Sequence, residues 1–160
     1  MAKFEVGRGL DDYIASLGNL EFKTPAIIGR SVYEGAKIVA DQIHRNIEAL
    51  PTGTKRDKIP RDPTPVEKAG MLEGLGIARH QWDGSYYNVK IGMDGYNSDR
   101  TKKYPNGKPN ALIARSIESG STVMKRNAFI SRAVSSSRSA AEEAMKNECD
   151  KQIQETMGNG

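Results

Sequence analysis

Hydrophobic positions recur at intervals of three and four residues in two long segments, which predicts two amphipathic helices. The first prediction begins at Thr24 as N-cap, with Pro25 at the first helical position, and ends before Pro51. Its apolar stripe contains Ile28, Val32, Ala36, Val39, Ile43, Ile47 and Leu50. The second predicted helix covers residues 127–157, with a stripe of Ile130, Ala133, Val134, Ser137, Ala141, Ala144, Met145 and Ile153.

Shorter elements are predicted around these helices. A strand is expected at residues 3–6, and a short helix at 9–18, which Gly18 would end. Its apolar positions are Leu10, Tyr13, Ile14 and Leu17. A third helix is expected at 111–119, capped by Asn110 and ended by Gly120.

Two segments have the composition of strands, at residues 72–80 and 86–93. The Asp83-Gly84 pair between them favours a turn, so we expect an antiparallel hairpin. The glycines of segment 70–76 indicate a close backbone approach or a bulge. The expected fold is one α+β domain, with a small antiparallel sheet packed against two long helices. In it, Ile28, Val32, Val39, Ile43 and Ile47 would pack on Val89 and Ile91.

Two long polar segments, 51–70 and 94–109, are predicted to be loops. The first contains four prolines, and the second is basic and contains glycine and proline. Long loops in a small domain are usually functional or disordered. We therefore expect residues 52–68 and 95–109 to be flexible in the isolated subunit and ordered only in an assembly.

Charge is distributed unevenly along the 160 residues, although the formal net charge is only +4. Segment 100–138 has nine basic residues and one acid, whereas segment 139–160 has five acids and two lysines. This asymmetry suggests an anionic partner, either nucleic acid or an acidic protein face, and a merely solvated basic surface is the alternative. A single cysteine, no signal-like N-terminus and no long apolar run predict a cytosolic protein without a membrane span.

Candidate chemistry is sparse. The sequence has no phosphate-binding loop, dinucleotide glycine pattern, nucleophile elbow or zinc-protease motif. His44, His80 and Cys149 have no partners at metal-ligand spacing, and each is interpreted as structural. We therefore expect no catalytic residue, no metal and no cofactor.

The order of several segments resembles one protein family. Segment 9–12 (GLDD) precedes 33–41 (YEGAKIVAD) in the long helix, followed by 51–59 (PTGTKRDKI). After the predicted sheet come 117–121 (IESGS) and 128–133 (AFISRA), which leads into the last helix. From residue 3 to residue 153, this order is similar to that of the tail-completion, or head–tail joining, family of long-tailed bacteriophages.

The resemblance implies a non-enzymatic virion protein that forms a six-fold or twelve-fold ring. Its expected partners are the head connector and the tail-tube or tail-terminator proteins, with non-specific contact to channel DNA. It would act in the host cytoplasm during assembly and in the neck or tail of the virion. Candidate interface residues are Lys55, Arg56, Lys102, Lys103 and Arg126. The alternatives are a basic nucleic-acid-binding module or regulator, and a small enzyme of unknown type.

Overall fold

A computed structural model describes residues 8–84 and 87–158, with side chains from residue 15 onward. The helices are α1 (Arg8–Glu48), α2 (Pro65–Gly74), α3 (Asn110–Ser119) and α4 (Phe129–Gly158). The strands are β1 (Leu75–Ile77), β2 (Gln81–Trp82), β3 (Tyr87–Asn88) and β4 (Ile91–Met93). The α+β prediction is confirmed, although helices dominate. The strand predicted at 3–6 and the side chains of Leu10, Tyr13 and Ile14 lie outside the described residues.

The sequence predicted that one helix ends at Gly18 and that another begins at Thr24. This is wrong, because α1 is one continuous helix of 41 residues with Pro25 inside it. Thr24 is not an N-cap: its hydroxyl donates a 2.7 Å hydrogen bond to the carbonyl of Leu20, one turn earlier. Proline in a helix interior removes a backbone hydrogen bond. Packing along α4 offsets that loss, which the local sequence pattern could not indicate.

The principal neighbour of α1 is α4, which runs antiparallel to it. Asn46 donates to the carbonyl of Phe129 at 2.9 Å, and Arg30 lies 4.0 Å from Glu148 near the other end. Small residues bring the helices close: a Cβ on Gly35 would lie 3.2 Å from the carbonyl oxygen of Ala141. Four residues of the apolar stripe predicted for the first long helix are buried, as expected: Ala36, Ile43, Ile47 and Leu50. The other three, Ile28, Val32 and Val39, are only half-buried.

The main core lies where the C-terminal half of α1 meets α2, α3, β4 and the beginning of α4. Its buried members include Ile47, Met71, Ile117 and Phe129, with Val39 and Ile91 packed at its edge. The predicted packing is thus confirmed for Val39, Ile43 and Ile47 with Ile91. It is wrong for Ile28, Val32 and Val89, which are half-buried and do not belong to this core.

The hairpin is confirmed but shorter than predicted. β1 pairs antiparallel with β4 and β2 with β3, with Ile77 opposite Ile91 and Trp82 opposite Tyr87. Residues 65–74, predicted as the end of a loop and the start of a strand, form α2 instead. The predicted close approach is confirmed at Gly74, where a Cβ would lie 2.2 Å from the carbonyl oxygen of Asp94.

The last two helices agree with the prediction to within two residues. Gly120 ends α3 with a φ of 76°, but Asn110 is not the cap, since its side-chain amide donates to the carbonyl of Asp94 at 2.9 Å. Glu118 caps α4 by accepting hydrogen bonds from the backbone N–H groups of Ile130 and Ser131 at 2.8 and 3.0 Å. Val134, which was assigned to the apolar stripe of α4, is exposed.

Candidate functional site

The first loop, residues 49–64, is closed by its own hydrogen bonds. Gly53 N–H donates to the carbonyl of Pro63 at 2.9 Å. Within it, the Asp57 carboxylate accepts from the backbone N–H and the hydroxyl of Thr54 at 2.7 and 2.8 Å. These bonds hold the pKa of Asp57 below its usual value. They also fix the exposed turn that carries Lys55 and Arg56.

Arg61 connects this loop to the segment between α3 and α4. Its N–H donates to the carbonyl of Val123 at 2.7 Å, and its own carbonyl accepts from Lys125 N–H at 2.9 Å. The residue is only 4% exposed, so its guanidinium needs a buried partner.

Glu67 is that partner, and it is completely buried in the first turn of α2. Its two carboxylate oxygens accept from the Arg61 guanidinium at 2.9 and 3.1 Å. One of them also accepts from Thr64 N–H at 2.9 Å, while Glu67 N–H donates to the Thr64 hydroxyl at 3.2 Å. This reciprocal capping box begins α2, with Pro65 at its first position.

The ion pairs continue from Glu67 into the second loop, residues 94–109. The Lys108 ammonium lies 3.3 Å from Glu67 and 3.4 Å from Asp99, and Asp99 also pairs with Lys55 of the first loop. Burial raises the pKa of Glu67, but the hydrogen bonds from Arg61 and Thr64, with the nearby charges, outweigh it and lower that pKa overall. The hydrogen bond from Lys55 is the largest cause that lowers the pKa of Asp99.

Asn97 shapes the second loop from within. Its buried side-chain oxygen accepts from the N–H groups of Asp99 and Lys108, both at 3.0 Å. Gly107 has a φ of +99°, and a Cβ there would lie 1.8 Å from the carbonyl oxygen of Asn97, so only glycine fits. We call residues 51–64 and 94–109, joined by these ion pairs, the loop platform. These contacts lie within one chain and favour loops that are ordered without an assembly, so the expectation of flexibility in the isolated subunit stays a prediction to be tested.

The structure brings together four of the five predicted interface residues. Lys55 forms an ion pair with Asp99. Arg56, Lys102 and Lys103 are exposed on the platform. The Lys103 ammonium lies 5.4 Å from the centre of the Tyr104 ring. Arg126 is also exposed, but it lies in the α3–α4 connection against Gly120.

The sequence did not indicate the four residues that join the two loops, which are the buried pair Arg61 and Glu67 and the half-buried Asp99 and Lys108. One signal was available, since Thr64-Pro65-Val66-Glu67 has the spacing of a capping box with proline at the first helical position. The partners of Glu67 come from residues 6 and 41 positions away, and no local pattern indicates them.

Neither histidine nor the cysteine belongs to the platform. The ring of His80 packs so closely on Gly29 that a Cβ there would lie 2.7 Å from it. His44 is 3.6 Å from Glu48 on the exposed side of α1, and Cys149 is half-buried in α4.

In the part of the chain that the structure describes, no group of three or more His, Cys, Asp or Glu residues is placed to bind a metal. Nor is any helix there long and apolar enough to cross a membrane.

An apolar cleft of about 320 Å³ opens away from the platform, between the β1–β4 sheet, α3 and the beginning of α4. Its apolar lining includes Ile43, Leu75, Ile91, Ala111, Ala114 and Ile130. The shape and lining suit an apolar group better than a reaction, since few polar groups converge there.

Comparison with known proteins gives no relative: no family model, no curated protein and no solved structure matches the chain. The function proposed below therefore rests on the segment order that resembles the head–tail joining family, together with the geometry of the chain itself.

Proposed function

We propose that this chain is a ring-forming structural protein of a tailed bacteriophage, acting where the head connector meets the tail tube. The observation that carries the proposal is the loop platform. Ion pairs centred on the buried Glu67 fix two long loops in one position. The exposed cations of these loops that form no ion pair among the described residues are Arg56, Lys58, Arg100, Lys102 and Lys103. A preformed charged surface of this kind suits docking to acidic protein or phosphate.

The long helical pair supports the same proposal. The main core begins at Val39 of α1, so roughly 45 Å of that helix extends N-terminal to it, at 1.5 Å per residue. This extension packs mainly on α4, through small residues, and His80 covers it at Gly29. An elongated subunit can contact neighbours at both ends, as a joining ring requires.

Charge reversal of the platform tests the proposal. Arg56, Lys102 and Lys103 would be replaced together by Glu in the phage that encodes the chain. Each side chain is exposed, so the free energy of unfolding should change by less than about 0.5 kcal/mol per substitution. Like charges across an interface cost several kcal/mol. Electron micrographs of lysates should therefore show full heads and finished tails that fail to join.

Substitutions at the only histidines and cysteine provide the control. His44→Ala, His80→Ala and Cys149→Ser should leave infection intact apart from modest packing losses. Normal virions from the charge-reversed chain, with loss of function in a folded histidine or cysteine variant, would contradict the proposal and favour an enzyme.

A nucleic-acid-binding module is the second candidate. Arg100, Lys102 and Lys103 lie in one loop and form no ion pair among the described residues, and the nearby Tyr96 side chain is exposed. Backbone phosphates would be the natural partners of these cations, with no sequence preference. A gel-retardation assay with short duplexes at physiological salt distinguishes the candidates, because a nucleic-acid-binding module should retard the duplexes on its own.

A further inference from the structure

Phe22 is the most exposed large apolar side chain among the described residues, at 85% of its maximum. It begins a stripe of α1 that continues at spacings of four, three and four through Ala26, Gly29 and Tyr33. The same stripe runs on into the buried Ala36, Ala40, Ile43 and Ile47. Within the N-terminal part of the stripe, Ala26 and Tyr33 are exposed like Phe22, whereas Gly29 is buried beneath the ring of His80. An apolar side chain as large and as exposed as Phe22, with exposed apolar neighbours on the same stripe, suits contact with a partner.

The apolar cleft described above is a receptor of suitable size. A cavity of roughly 150 Å³ accommodates benzene, so a cleft of about 320 Å³ admits the ring of a phenylalanine. Phe22 cannot fill the cleft of its own chain, because Ile43, which lines the cleft, is 21 residues or roughly 30 Å farther along α1.

Charges around the two surfaces are complementary. Phe22 is flanked by Glu21 and Lys23 on exposed positions of α1. The rim of the cleft carries Arg115 and Glu118, one turn apart on α3. Arg115 is exposed and forms no ion pair among the described residues, so it is available to Glu21 of another copy.

We propose that Phe22 of one copy inserts into the apolar cleft of a second copy, with Glu21 paired to Arg115. The side chain that inserts, Phe22, and the cleft that receives it are different surfaces of the chain, so the contact is heterologous. Repeated copies joined in this way either close into a ring or continue as a filament. This inference rests on the proposed ring function and names the contact that forms the ring.

Sedimentation velocity over a range of concentrations tests the contact with the full chain. Phe22→Ala should weaken self-association at least about 30-fold, as loss of a buried aromatic anchor does. The matched control is Leu17→Ala, which removes another partly exposed apolar side chain of the same helix and should leave association unchanged. Both variants should keep the helical circular dichroism of the parent.

A charge swap gives a readout that misfolding cannot imitate. Glu21→Arg and Arg115→Glu should each weaken association, and the two together in one chain should restore it. Parent-like association of Phe22→Ala, a swap that fails to restore association, or a parent chain that stays monomeric would each overturn the contact. None of these results would refute the head–tail function, which is tested separately by whether heads and tails join without the chain.

Discussion

The Arg61 guanidinium and the Glu67 carboxylate form a two-pronged ion pair, with N–O distances of 2.9 and 3.1 Å, in which Glu67 is wholly shielded from solvent. The pair joins the end of the first loop to the first turn of α2. Through Lys108 it also reaches the second loop. A single buried carboxylate therefore holds together the surface on which the proposed function depends.

Glu67→Gln should lower the free energy of unfolding by about 3–5 kcal/mol, because it keeps the shape but leaves the buried guanidinium without a counter-charge. Denaturant unfolding measures the change. The control is Lys125→Gln, which breaks the exposed pair with Asp62 and should cost less than about 1 kcal/mol. Equal effects of the two substitutions would contradict the assigned role of Glu67.

Stability should fall in acid through the same group. The pKa of Glu67 is lowered from the ordinary value of 4.5, so the folded chain binds this proton more weakly than the unfolded chain. The contribution is therefore fully present above that value and is lost as pH falls through the lower pKa of the folded state. The denaturation midpoint of the parent should drop as the pH falls below 4.5. A Glu67→Gln chain should show a shallower slope, and an unchanged slope would refute the assignment.

Two glycines of α1 should respond oppositely to the same substitution. A Cβ on Gly18 meets no atom within 4 Å, so Gly18→Ala should raise the free energy of unfolding by about 0.5–1 kcal/mol through helix propensity. A Cβ on Gly35 would lie 2.5 Å from Met145 Cγ, so Gly35→Ala should lower it by about 1–3 kcal/mol. Destabilisation by Gly18→Ala would indicate that the helix ends there, as the sequence suggested.

The loop platform should resist protease in the monomer. Limited proteolysis should leave residues 51–64 and 94–109 of the parent intact under conditions that cut them in the Glu67→Gln chain, where the ion pairs that join them are broken. Rapid cleavage of both loops in the folded parent would instead support the expectation that they are ordered only in an assembly.

The sequence predicted those features that local periodicity encodes. It gave α4 to within two residues, the end of α3 at Gly120 and the hairpin around Asp83-Gly84. The sequence-based prediction was wrong where contacts with distant residues determine the structure. Packing on α4 stabilises α1 as a helix through Pro25. Ion pairs with residues of both loops hold Glu67 at the beginning of α2. The exposed cations of the site were predictable from composition. Their common platform was not, because its contacts cross up to 44 positions of the chain.

Inactivation of the coding sequence in the phage, followed by electron microscopy of the lysate, tests the proposed function most directly. If the chain joins head to tail, the lysate should contain DNA-filled heads and separate, complete tails. Joining should be restored when the parent chain is supplied in trans. Normal infectious virions in its absence would contradict the central claim that the chain joins head to tail.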